Sequence, residues 1–94
     1  PPTRPIDCKP EIYGVALSQY HRQLLSLAGR SIDEVGRDSR RILGYTLTVD
    51  SSRAARIQAI VDRAYQDIRA IAQEDYRGES VMHVELAMFP MTRE

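Results

Sequence analysis

A chain of 94 residues, 43% of them apolar and 28% charged, has the composition of one globular domain. These values argue against two full domains and against intrinsic disorder. Its 13 basic residues are balanced by 13 acidic ones, so the basic surplus typical of domains that bind the phosphates of nucleic acids is missing. We therefore expect no direct nucleic-acid binding by this segment.

Cysteine usage and hydropathy indicate the cellular setting. Cys8 is the only cysteine, whereas a small secreted domain normally depends on several disulfides. The sequence has neither a signal peptide nor an apolar run long enough to span a bilayer. We expect a cytoplasmic location and no contact with a membrane. Because the chain starts at Pro1 without a methionine, we also expect a piece of a longer protein.

Residues 1–10 contain four of the five prolines and are predicted to form an extended linker. A helical pattern follows, from about Glu11 to Val35, and Gly36 suits the position just after a helix. Apolar side chains recur every three or four residues there and form one stripe: Tyr13, Leu17, Tyr20, Leu24, Leu27 and Ala28.

A strand is predicted over about Ile42–Val49, because apolar and polar side chains alternate there. Its apolar face comprises Leu43, Tyr45, Leu47 and Val49. A second strand is predicted over about Val81–Phe89, closed by Pro90, with Met82, Val84, Leu86 and Met88 on one face.

Between the two predicted strands lies the clearest helical pattern of the sequence. Asp50, Ser51 and Ser52 offer side-chain oxygens that can cap its first turn. Arg63 and Asp67 stand four residues apart and can pair on its polar side. The apolar positions keep a spacing of three and four residues: Ile57, Ile60, Val61, Ala64, Ile68, Ile71 and Ala72.

These elements predict one α+β domain over residues 11–94, in the order helix, strand, helix, strand. Both helices would cover one face of a small sheet. Two strands alone are marginally stable and both are edges, so we expect a second subunit or a neighbouring domain to complete the sheet. A homodimer is the expected assembly.

Residues that could carry chemistry are few. No glycine-rich phosphate loop or metalloprotease motif is present, and we expect neither a cofactor nor enzymatic activity. His83 and Glu85 lie two residues apart on one face of the predicted strand, which suits half a metal site, an acid–base pair or an ordinary polar pair. The polar pair is the preferred interpretation. His21 suits a pH switch or, preferably, a group at the edge of the core.

The most concentrated charge lies in the loop after the first helix, at Arg37, Arg40 and Arg41. These side chains could hold a phosphate or carboxylate ligand, or an acidic surface of a partner, through bidentate contacts. Alternatively, the loop is simply solvated and its charge is neutralised by nearby carboxylates at Asp33, Glu34 and Asp38.

Two stretches resemble a known family. They are Tyr20-His21-Arg22-Gln23-Leu24-Leu25-Ser26-Leu27-Ala28, followed by Ser31-Ile32-Asp33, and the ending Phe89-Pro90-Met91-Thr92. With the elements between them, they are similar over residues 16–92 to the C-terminal half of a paralogous family of predicted bacterial transcription regulators, first described as a Fibrobacter-type major paralogous family. The sequence departs from the family at Leu43-Gly44, where serines are frequent.

The resemblance implies a C-terminal domain of unknown function that follows a winged-helix-like DNA-binding part of the same chain. It implies no catalytic residues. Three functions remain as hypotheses: a regulatory and dimerisation domain, a sensor that binds an anionic metabolite near the arginine loop, and an enzyme that uses His83 and Glu85. The first is preferred.

Overall fold

The structure is a computed structural model, which describes residues 10–92. Cys8 and the rest of the predicted linker up to residue 9 lie outside this range. The chain divides into two compact units, residues 1–43 and residues 44–94. The described part of the first unit contains helix α1 (Pro10–Glu34) and a 3₁₀ turn (Arg37–Ser39), and that of the second contains helix α2 (Ser51–Ala72).

Helix α1 confirms the first helical prediction, with its start one residue earlier than expected. Proline is well placed at the first helical position, where no backbone N–H is needed. In the last turns, the Arg30 guanidinium contacts the Glu34 carboxylate at 3.4 Å. The Ser31 hydroxyl donates a hydrogen bond of 2.7 Å to the carbonyl of Ala28. Such local contacts hold the end of the helix together.

The chain leaves α1 in an extended conformation. Gly36 follows the helix as predicted, but its φ of −62° and ψ of 148° are open to any residue. The backbone N–H of Ser39 then donates to the carbonyl of Gly36 at 2.9 Å and closes the 3₁₀ turn. The chain therefore leaves α1 through this turn, without a left-handed glycine.

Helix α2 confirms the second helical prediction together with its cap. Asp50 is the N-cap residue, and its carboxylate accepts a hydrogen bond of 2.7 Å from the backbone N–H of Arg53. At the other end, the N–H of Gln73 lies 3.2 Å from the carbonyls of both Arg69 and Ala70. Both ends of α2 thus have partners for backbone groups that a helix leaves unpaired.

The predicted α+β fold is wrong, because the described residues form helices and no strand or sheet. The segments 42–49 and 81–89, predicted as strands, have neither helical nor strand hydrogen bonding. Alternation of apolar and polar residues describes an extended chain, but a strand also requires a second strand that accepts and donates backbone hydrogen bonds. No such ladder is present within residues 10–92.

The expected core is also absent: within residues 11–92 no side chain is buried. Leu43 and Tyr45, predicted to face the helices, are 85% and 88% exposed. On α2, four side chains are partly buried. Three belong to the predicted apolar stripe, Ile57, Val61 and Ala64, and the fourth, Ala54, precedes it. Each unit therefore leaves large apolar surface uncovered. No helix within the described part is long and apolar enough to cross a membrane.

Candidate functional site

The three arginines predicted as a ligand site lie around one cleft in the first unit. The cleft has a volume of about 410 Å³, at the lower end of the range for small-molecule pockets. We call it the arginine cleft; it is lined by Ile32, Arg37, Arg40, Arg41, Ile42 and Leu43. The sequence alone gave no sign that apolar side chains would share this surface with the arginines.

Three consecutive pieces of chain position these side chains. Ile32 belongs to the last turn of α1, and Arg37 opens the 3₁₀ turn. Residues 40–43 follow that turn as a segment without regular structure. Side chains from all three pieces line the same cleft.

Arg40 has a different role from its two neighbours. Its guanidinium donates a hydrogen bond to the backbone carbonyl of Val35, and the side chain is partly buried. Val35 directly follows α1, where carbonyl groups lack partners within the helix and carry partial negative charge. Arg40 therefore caps the C-terminal end of α1 and holds the loop against it.

The other two arginines of the cleft are exposed, and the nearby carboxylates do not neutralise them. Neither Arg37 nor Arg41 forms an ion pair with Asp33, Glu34 or Asp38. Glu34 is bound instead by Arg30. Local positive charge in the cleft is thus left without a carboxylate partner in the described part of the chain.

His83 and Glu85 do lie together, as their spacing predicted. The His83 Nε2 atom is 2.6 Å from Glu85 Oε1, and the two side chains are 37% and 12% exposed. Within residues 10–92 no group of three His, Cys, Asp or Glu side chains is arranged to hold a metal ion. His21 contacts Tyr20 edge to face, with ring centroids 5.5 Å apart. The chemical role of either histidine stays a prediction.

A second surface, missed in the sequence, is a shallow groove along α2. It has a volume of about 350 Å³, and it is lined by Ala59, Ile60, Arg63, Ala64 and Asp67. We call it the α2 groove. The Arg63 guanidinium contacts the Asp67 carboxylate at 3.1 Å, which confirms the predicted pair and places it along the groove. Ile60 is 68% exposed, and the other apolar side chains of the groove, Ala59 and Ala64, are small.

Comparison with known proteins defines the family and nothing more specific. Neither the curated proteins nor the solved structures include a significant match to this sequence. One protein family, described as Domain of unknown function (DUF4423), matches residues 2–91 and so spans both units. The chain therefore belongs to the DUF4423 family of domains of unknown function.

Proposed function

We propose that this chain is the non-catalytic regulatory and dimerisation domain from the C-terminal part of a bacterial transcription regulator. The resemblance of residues 16–92 to such regulators supports this assignment, and so does the balance of 13 basic and 13 acidic residues. A domain without net charge suits the half of a regulator that does not contact DNA. An upstream DNA-binding domain of the same chain would then read the operator, and a cytoplasmic location follows.

The observation that carries the dimerisation proposal is the α2 groove. Isolated apolar side chains at a surface are normal, but here exposed Ile60 lies in a groove with two alanines. Small side chains allow a second helix to approach closely. The occupant we propose is α2 of a second copy of the chain.

The groove is nearly symmetric about the middle of α2, as self-association about a two-fold axis requires. Ala59 lies eight residues after the first residue of α2, and Ala64 lies eight before the last. Ile60 and Arg63 are related in the same way, nine residues from either end. In an antiparallel pair, each alanine would meet its counterpart, and the aliphatic stem of Arg63 would cover Ile60 of the other copy.

Charge complementarity favours the same arrangement. Arg56 lies five residues after the start of α2 and Asp67 five residues before its end, so they would face each other across an antiparallel pair. The two are eleven residues apart, about three turns, and therefore lie on the same side of the helix. Two such contacts would form per dimer, one at each end of the groove.

Static light scattering and sedimentation of the 94-residue chain at micromolar concentration test the proposal. We expect a dimer for the wild type. Ile60→Glu should weaken dimerisation at least about tenfold, because a carboxylate would lose its hydration in the groove. Gln58→Glu changes the charge equally on the opposite side of α2 and should leave the dimer intact. A wild-type monomer, or equal effects of the two variants, would contradict the proposal.

Sensing of a small anionic metabolite is a second candidate function, and the arginine cleft is the observation that favours it. The cleft and the α2 groove belong to different units, so each function can be tested with its own variants. Thermal unfolding in the presence of acidic metabolites tests it. A metabolite that stabilises the wild type but not the Arg37→Gln, Arg41→Gln variant would support sensing, whereas equal shifts would remove this support.

A further inference from the structure

We infer that the arginine cleft binds a monocarboxylate that carries a short aliphatic chain, with Arg37 and Arg41 as the binding arginines and Arg40 as a positioning residue. This inference rests on the sensing candidate and goes beyond it by naming the ligand class and by separating the roles of the three arginines. It does not depend on dimerisation.

The first step concerns the arginines. Arg40 is engaged with the carbonyl of Val35 and is partly buried, so it shapes the loop and has less freedom to meet a ligand. Arg37 and Arg41 are exposed and form no ion pair with another described side chain. A guanidinium offers two parallel N–H donors that match the two oxygens of a carboxylate. The two guanidinium groups beside the cleft can therefore bind the carboxylate of one ligand molecule.

The second step concerns the apolar half of the lining. Ile32 and Ile42 are each about half exposed, and Leu43 is 85% exposed. A small inorganic anion would bind the arginines without covering these three side chains. A ligand with an aliphatic chain would also cover them, and each methylene removed from water would favour binding further. The combination of arginines and branched aliphatic residues therefore selects an amphiphilic anion.

The third step concerns size. A volume of about 410 Å³ lies at the lower end of the range for small-molecule pockets, which suits a compact ligand. A second carboxylate at the far end of the chain would lie against Ile32, Ile42 and Leu43 and lose hydration there, so these apolar side chains favour a ligand with one charged end.

Titration of the ¹⁵N-labelled 94-residue chain tests the inference, with hexanoate, acetate, hexylamine and inorganic phosphate as probes. We expect saturable shifts of the amides of residues 37–43 with hexanoate, and binding at least about tenfold weaker with acetate, which lacks the chain. Hexylamine carries the chain with the opposite charge and should not bind. Phosphate that binds as tightly as hexanoate would overturn the proposed ligand class.

Variants then assign the roles. Arg37→Gln with Arg41→Gln should lower hexanoate affinity at least about tenfold, whereas Arg22→Gln with Arg77→Gln loses equal charge outside the cleft and should not. Leu43→Ser should weaken hexanoate binding and leave acetate binding unchanged. Retained affinity in the Arg37, Arg41 variant would refute the inference. Light scattering on the same samples shows whether a variant has changed its assembly, so failure of ligand binding and failure of dimerisation are separate results.

Discussion

Helix α2 and the loop after α1 use the same residue types in opposite ways. In α2, Arg63 is paired with Asp67 at 3.1 Å, and the helical repeat places an acid within reach of a base. In the loop after α1, Arg37 and Arg41 form no ion pair with a carboxylate of residues 10–92, although Asp38 lies between them in sequence. A regular helix can place charges of both signs on one side, which is the arrangement that the proposed antiparallel dimer requires. An irregular loop leaves a surplus of one sign, which suits a small anion.

The largest effect is expected from reversing the charges at the two ends of the α2 groove. Arg56→Glu alone, or Asp67→Arg alone, should weaken the dimer about tenfold or more, because like charges would then face each other across the pair. The double variant, Arg56→Glu with Asp67→Arg, should recover most of the wild-type affinity. Sedimentation equilibrium measures all four proteins.

The control for this cycle is the same exchange on another side of α2. Asp62→Arg with Arg69→Glu also retains the net charge, but neither residue lines the groove. It should leave the dissociation constant near the wild-type value. Additive weakening in the Arg56, Asp67 double variant would exclude the antiparallel register.

The second prediction concerns the N-cap of α2. Asp50→Ala removes the acceptor of the Arg53 N–H and should destabilise the second unit by about 1 kcal/mol. Asp50→Asn retains an oxygen at the same position and should lose much less. Urea unfolding followed by circular dichroism measures both, at one fixed protein concentration because association adds to apparent stability. Asp75→Ala, an equal charge change beyond the helix, serves as the control.

The third prediction concerns the C-terminal end of α1, which is capped by the guanidinium of Arg40. Arg40→Met keeps most of the aliphatic stem and removes the donor to the Val35 carbonyl. We expect a loss of roughly 0.5–1 kcal/mol and faster amide exchange in the last turn of α1. Hexanoate affinity should fall less than in the Arg37, Arg41 variant. An equal or greater fall would make Arg40 a binding residue and erase the proposed division of roles.

Local features were predictable from the sequence and non-local ones were not. The spacing of apolar residues predicted both helices, and the side-chain oxygens of Asp50, Ser51 and Ser52 predicted the start of α2. Helices and caps were predictable because both depend on neighbours within a few residues. The segments 42–49 and 81–89 were misread because a strand depends on a distant partner that alternation does not reveal.

The site shows the same division. Clustered arginines were visible in the sequence, but the Val35 carbonyl that accepts a hydrogen bond from Arg40 was evident only from the structure. The α2 groove was missed for another reason. Its mirror spacing is present in the sequence, but it can be recognised only once both ends of the helix are known.

The smallest expected effect concerns the pair within α2. Arg63 and Asp67 are 79% and 64% exposed, so solvent screens their attraction, and a double-mutant cycle with alanine should give a coupling of only a few tenths of a kcal/mol. This weakness matters for the proposed dimer, because Asp67 must be free to turn toward Arg56 of the other copy. Urea unfolding of the two single variants and the double variant measures the coupling. A coupling above about 1 kcal/mol would mean that Asp67 is held by Arg63 of its own helix. Asp67 would then not be available to pair with Arg56 of the other copy, and the proposed charge complementarity would fail.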